Sequence, residues 1–359
     1  MHNFHNNKGG NKMKKYVLLT SVVLLISILL IAGCGNESGK SGDETSADSN
    51  GETYVIKYAH NQQTDSPQDK GANLFKEKVE ELSEGQIEVQ VYPSNQLGEQ
   101  RELIEQTQNG QIELTQQSFS ILSNFAPVMT LHDLPFLYSS EDVLWDALDN
   151  DLGDIFNEAL SSAELHNLGF MSGGPKQFTA DKALETLEDF KGVKIRALPA
   201  PIVMETMKSL GASPTPVEFS ELYNSLQQGV VDGQENPAET IYNFKLYEVQ
   251  DYMTITDHAW MTYANVMNKN FFNSLPEDLQ KNVEEAMEYA STEQIKIMQE
   301  EEEELRNLIQ EQGMEIIELS EEEKEPLKEA TLGVQDKFGA EIGEEELESI
   351  LSAVEKADQ

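Results

Sequence analysis

From Tyr54 onward, short segments of period two alternate with segments of helical period, and only a few residues join them. TYVIKYAH places Val55 and the aromatic rings on alternate positions, as a strand does. Ser66-Pro67 then opens a helix through GANLFKEKVEELSEG, which Gly85 closes. QIEVQVYP alternates Ile87, Val89 and Val91 and stops at Pro93. Gly98 to Asn109 reads as a helix ended by Gly110, and QIELTQQS is strand-like again. Such an alternation buries its apolar faces as a mostly parallel sheet covered by helices. A second series begins near Phe178. VKIRALP is a strand, PIVMETMKSLG a helix stopped by Gly211, FSELYNSLQQG a helix stopped by Gly229, and VVDG a short buried strand. The expected class is α/β in two lobes. After Pro276 the pattern becomes one helix of about 35 residues, or roughly 50 Å, longer than a lobe and able to span both.

The chain start is different in kind. Residues 1–33 hold four lysines and no acid, and Tyr16 to Ala32 is almost wholly apolar. A charged start, a short apolar run and small residues before a cut site describe a secretory signal. At about 17 residues the run is marginal for a membrane span, so an uncleaved anchor is the competing reading. Met13-Lys-Lys reads as a natural start, with the residues before it an upstream extension. The ending IAGC resembles the bacterial lipobox, in which the cysteine is lipidated and becomes the new N-terminus. Cys34 is the only cysteine, so the chain has neither a disulfide nor a cysteine nucleophile. Gly35 to Gly51 is small and polar, a flexible tether reaching roughly 23 Å. The expected division is 1–33 signal, 34–52 tether, 53–174 with 263–302 as lobe I, and 175–262 with 303–359 as lobe II.

Without the signal, 21 basic residues face 65 acidic ones, a net charge of −44. That excludes nucleic acid as a partner. It also repels anionic headgroups, so a lipid rather than a basic patch would hold the protein at a membrane. Acid-rich runs such as QEEEEELRNL read as solvated helix faces.

In open parallel sheets, ligands bind beyond the carboxyl ends of strands. In VKIRALP, Arg196 stands at such an end, where a guanidinium can grip a carboxylate with two parallel hydrogen bonds. The same residue also suits an ordinary surface ion pair in so acidic a protein. The stretch SPTPVEFSELYNSLQQGVVDGQENP is punctuated as a loop that holds something small would be. Phe219 offers an apolar wall and Asn236 a donor and acceptor together. Taken singly, Phe is as well a core residue and Asn before Pro a turn residue. Neither G-x-S-x-G nor H-E-x-x-H occurs. Beyond the signal, His60, His132, His166 and His258 are too dispersed for a metal set. No catalytic residue, metal or cofactor is expected.

GVKIR followed by LGASPTPVEFSELYNSLQQGVVDGQENP resembles the extracytoplasmic solute-binding proteins of tripartite ATP-independent (TRAP-type) transporters, dicarboxylate-binding branch. YPSNQLGEQRELIEQTQNGQIEL, LPFLY and KLYEVQDYMTITDH fit as well. The resemblance implies a periplasmic-binding-protein-like fold, with two lobes, a cleft between them and a long helix crossing both. It implies that Arg196 binds a ligand carboxylate, with Asn236 and Phe219 beside it. It places a second basic residue in GGPKQFT, at Lys176, where many relatives carry arginine. In the first lobe it aligns His60 or Asn61, Gln100 and Ser118 with ligand-facing positions. The implied ligand is a small organic acid, a C4-dicarboxylate or hydroxy acid first and a sugar acid next. The implied partners are two integral-membrane subunits driven by an ion gradient, with a lipid at Cys34 as anchor on the outer face of the cell membrane. A sensor that hands its ligand to a signalling receptor is the alternative within the same fold, and an extracellular hydrolase the alternative outside it.

Overall fold

Ser66 caps its helix as its sequence predicts: the hydroxyl accepts from Asp69 N (3.2 Å), and the helix runs Pro67–Leu82. The structure is a computed structural model and describes residues 53–359. The expected signal sequence, Cys34 and the tether lie outside the described residues.

Eleven strands form two sheets among the described residues. They are β1 Tyr54–Ala59, β2 Ile87–Tyr92, β3 Leu114–Ser118, β4 Leu165–Pro175, β5 Gln177–Ala180, β6 Lys194–Ala197, β7 Ser213–Pro216, β8 Gly233–Asn236, β9 Tyr252–Ile255, β10 Trp260–Asn268 and β11 Glu315–Glu318. The first sheet has the order β2-β1-β3-β10-β4, the second β11-β9-β5-β8-β6-β7. The expected two α/β lobes are present, but neither sheet is purely parallel. β10 runs antiparallel to both β3 and β4, and β5 antiparallel to both β8 and β9. The reason is the way the chain crosses. β4 belongs to the first sheet and β5 to the second, with Lys176 alone between them. The return passes from β9 to β10. A strand that enters a sheet from the other lobe arrives against the local direction, which a segment-by-segment reading cannot see. The two crossings touch where Lys176 N donates to Ala259 O (2.8 Å).

Two local readings also shift. SPTP, read from the sequence as part of a punctuated loop, is strand β7 at the edge of the second sheet, paired with β6 through Arg196↔Thr215. Proline lacks an N–H to donate, so an edge is where a strand with two prolines can sit. The helix expected from Phe219 divides into a 3₁₀ turn, Phe219–Glu221, and a helix, Leu222–Gln227. The next strand is GQEN, not VVDG.

The third crossing is the helix Glu277–Glu311. It packs on helix Pro67–Leu82 and β4 in the first lobe and on helix Ala238–Asn243 in the second. Buried Gln294 pins it just before the Lys176 junction, accepting from Ser172 N (2.9 Å) and donating to Ser172 O (2.8 Å). Gly71 permits the close approach: a Cβ there would stand 3.0 Å from Gln294 Cγ and from Met171 Sδ. Helix Glu321–Ile342 packs on Pro201–Ser209, and helix Glu344–Ala357 on Glu141–Leu148 and Asp151–Ser162 of the first lobe.

Where the crossing helix meets the second lobe, acid is buried against acid. Glu239 is fully buried, accepting from Asn243 Nδ2 (2.7 Å) and Thr240 Oγ1 (3.0 Å). Burial first, and then Glu301 and Glu302 across the interface, push its carboxyl up to about 7. A carboxyl whose folded pKa lies above its unfolded one costs nothing while both states are protonated. The destabilisation grows as pH rises from about 4.5 to about 7 and then stays, at roughly 3 kcal/mol. Glu239→Gln is therefore expected to raise Tm at pH 8 and to change it little at pH 4.5. An equal effect at both pH values would show that Glu239 is ionised throughout.

Candidate functional site

The junction gathers the buried charges. Lys176, between β4 and β5, is 1% exposed. Its ammonium donates to Asp133 Oδ1 (3.2 Å), from a 3₁₀ segment of the first lobe, and lies 3.6 Å from Glu235 Oε1, on β8 of the second. Burial alone would lower its pKa; Asp133 and Glu235 outweigh that and hold it above the usual lysine value. Glu235 has its other oxygen 3.0 Å from His258 Nε2, and His258 Nδ1 lies 2.8 Å from Thr256 Oγ1. The His258 ring stacks on Phe178 at 4.3 Å. Against the cost of burial, Lys176, His258 and Arg196 hold Glu235 down at about 2. Only ≈ 10 Å³ of space remains among Asp133, Lys176, Thr206, Glu235 and His258, about one water's worth.

Arg196 is differently placed. It stands near the carboxyl end of β6, also 1% exposed. Nε donates to Val217 O (3.0 Å), and the guanidinium lies over the Phe219 ring, 5.9 Å from its centroid. Nη2 is buried and has no hydrogen-bond partner among the described residues. Burial lowers its pKa to about 10, with Glu235 and Glu218 opposing, so it remains charged at neutral pH. A buried guanidinium with an unmatched donor is costly unless something anionic completes it.

The remaining residues expected from the sequence are divided between the two lobes. Phe219 is buried edge-on against Phe244 at 4.6 Å. Asn236 ends β8, opposite Gln177, and its Nδ2 donates to Gln234. In the first lobe, His60 and Asn61 follow β1 and Ser118 ends β3, the strand beside it. All three are at most 3% exposed. His60 Nε2 meets Asp69 Oδ1 (3.2 Å), while Nδ1, Asn61 Oδ1 and Ser118 Oγ lack partners among the described residues. Gln100 is buried at the start of helix Gln100–Gln108, and no side-chain bond joins it to the set.

Sequence reading missed the carboxylates. Asp133 and Glu235 lie 43 and 59 positions from the lysine they flank. A signal did exist: β8 is Gln-Glu-Asn within a strand buried on both faces, where apolar residues belong. Gln62 was missed as well; it donates to the Tyr263 hydroxyl at 2.7 Å. A wider groove of ≈ 560 Å³ lies elsewhere, lined by Phe136, Lys324 and Lys328. Its lysines are matched by Asp257 and Glu321, so it lacks the unmatched buried cation that marks Arg196.

Residues 58–341 match the family described as bacterial extracellular solute-binding protein, family 7 (DctP). The chain is 32% identical over 307 residues to the C4-dicarboxylate-binding periplasmic protein DctP of Rhodobacter capsulatus, covering 84% of this chain and 91% of that one. Among solved structures it is similar to the sugar acid binding protein DctPAm of Advenella mimigardefordensis in complex with galactonate. That match has a TM-score of 0.83 and 30% identity, over 85% of this chain and 99% of the other. A TRAP periplasmic solute-binding protein of Sulfurospirillum deleyianum with bound succinate matches with a TM-score of 0.80 and 31% identity, over 84% and 99%.

Because the Lys176 set is desolvated, Lys176→Met strands two buried carboxylates. The expected loss is about 3–5 kcal/mol in denaturant unfolding. Lys281→Ala, which removes an exposed pair with Glu277, should cost no more than about 0.5 kcal/mol. Similar losses for both would show that water reaches the junction.

Proposed function

We propose that this chain, which belongs to the bacterial extracellular solute-binding proteins of family 7, captures a small organic acid between its lobes by closing on Arg196. It is the solute-binding component of a TRAP-type transporter. The observation that supports Arg196 as the anchor is its buried Nη2, unmatched among the described residues and aimed from a strand end. In the open form water solvates the guanidinium. A ligand carboxylate replaces that water with charge-assisted bonds, and closure removes the rest of the solvent, which strengthens the pair. The ligand therefore favours the closed state by its differential affinity for it. Phe219 and Asn236 supply the wall and a polar contact beside the carboxylate.

The bodies that close in this reading are 53–174 with 263–302, and 175–262 with 303–342, while helix Glu344–Ala357 rides on the first. The closed form is what two integral-membrane subunits would accept. The protein binds without chemistry, so its ligand should be recovered unchanged. A lipid on Cys34 would keep it at the outer face of the membrane, and Cys34→Ser should release it or leave the signal uncut. An unlipidated, soluble mature protein would contradict the anchor.

The anchor is tested by calorimetry on an acid found by thermal-shift screening. Arg196→Lys keeps the charge but loses the fork, and should cost about 2–5 kcal/mol of binding. Asn236→Ala should cost about 1–3 kcal/mol. Undiminished affinity in Arg196→Lys, with binding abolished in Lys176→Ala, would move the anchor to Lys176.

A further inference from the structure

The three crossings between the sheets meet at one carboxylate. Asp257 lies in the second crossing, residues 256–259, which carry the chain from β9 to β10. Its Oδ1 accepts from Gln177 Nε2 (2.6 Å), one residue past Lys176 in the first crossing. The same oxygen lies 3.8 Å from Arg306 Nη2, on the crossing helix Glu277–Glu311. Oδ2 accepts from Lys324 Nζ (3.3 Å), on helix Glu321–Ile342, which packs on Pro201–Ser209 of the second lobe. Gln177 completes a ring, since its Oε1 accepts from Thr256 N (2.8 Å) and Asp257 N (3.1 Å).

The backbone here is strained. Asp257 has φ 47°, in the left-handed region that aspartate tolerates better than most residues but still at a cost. Phe136, in the first-lobe segment LPFLY, has φ 57°, and its N–H donates to His258 O (2.8 Å) in the same crossing. Such conformations persist only where surrounding contacts over-determine them. The bonds to Gln177, Arg306 and Lys324 do so at Asp257. Lys324 is 8% exposed, so its pair with Asp257 is only partly screened by water. These partners stand on separate segments, and a rotation of one lobe against the other about the crossings moves them relative to Asp257. Their bonds therefore favour the lobe arrangement in which they are made, and that arrangement buries Arg196.

We propose that Asp257 is a positioning residue for solute capture, given that the chain captures its solute between the lobes. It holds the three crossings at the lobe angle that buries Arg196, without itself touching the ligand. Apparent affinity falls with the fraction of molecules in the binding-competent arrangement, so loosening this tie weakens binding at a distance.

The test uses the full chain with Cys34→Ser and spin labels at Glu88→Cys and Gln228→Cys, exposed positions on different lobes. Asp257→Asn keeps the size, the tolerance of left-handed backbone and an oxygen for Gln177, but loses the charge facing Arg306 and Lys324. Arg306→Gln cuts the same tie from the crossing helix. Without ligand, both variants are expected to show a longer and broader label separation than the parent chain. Calorimetry with succinate and galactonate as probes should show binding about three- to tenfold weaker, with the loss in the dissociation rate. Lys281→Ala, at an exposed pair on the same helix, should match the parent in both measurements. Unchanged label separations in Asp257→Asn overturn the inference, even where binding weakens, because the residue then acts through folding or on the ligand directly. Shifted separations in a chain whose parent binds neither acid support the tie and count against the capture reading.

Discussion

The buried ion set around Lys176 is the constraint on which the rest depends. The first crossing of the chain from one sheet to the other is a single residue long, and that residue is a lysine with almost no exposure. A lone buried ammonium would lose its proton or force the junction open. Asp133 from the first lobe and Glu235 from the second prevent both, and in doing so they bring the lobes into one electrostatic unit. Their mutual attraction is strong only because water is absent, so the set favours a closed junction. Gln294 holds the third crossing against the same strand, with both of its polar ends on Ser172.

This arrangement leaves the two buried cations unequal. Two cations lie buried near β8, and the carboxylates there are committed to one of them. Glu235 sits close enough to Arg196 to favour its charge, but both Glu235 oxygens face Lys176 and His258. Arg196 is thus left charged, dry and incompletely bonded, held in orientation by Val217 O and the Phe219 face. A solute that supplies the missing acceptor completes the network. A neutral solute does not. The strongly acidic exterior is compatible with capture of an anion because the favourable potential is local and desolvated.

Much of the architecture was readable in the sequence because it is local. Ser66-Pro67 announces a helix by capping chemistry, and the period of Ile87, Val89 and Val91 announces a strand, without reference to anything distant. The place of Arg196 near a strand end was readable too, since VKIRALP reads as a strand on its own residues. What was not readable is set by contacts far apart in the chain. The antiparallel β5 and β10 follow from where the chain crosses between lobes, and that depends on the whole topology. The ion pairs of Lys176 were not readable because its partners, Asp133 and Glu235, become neighbours only in the fold. The prolines of β7 looked like loop punctuation because an edge strand cannot be told from an interior one before the sheet is assembled.

The central claim is that the ligand's carboxylate completes Arg196 and leaves the Lys176 set untouched. The structure of the complex with the acid that binds most tightly measures this directly. A carboxylate oxygen is expected about 2.8 Å from an Arg196 guanidinium nitrogen, with Lys176 still on Asp133 and Glu235. A carboxylate bound to Lys176, with Asp133 or Glu235 displaced from it, would contradict that claim.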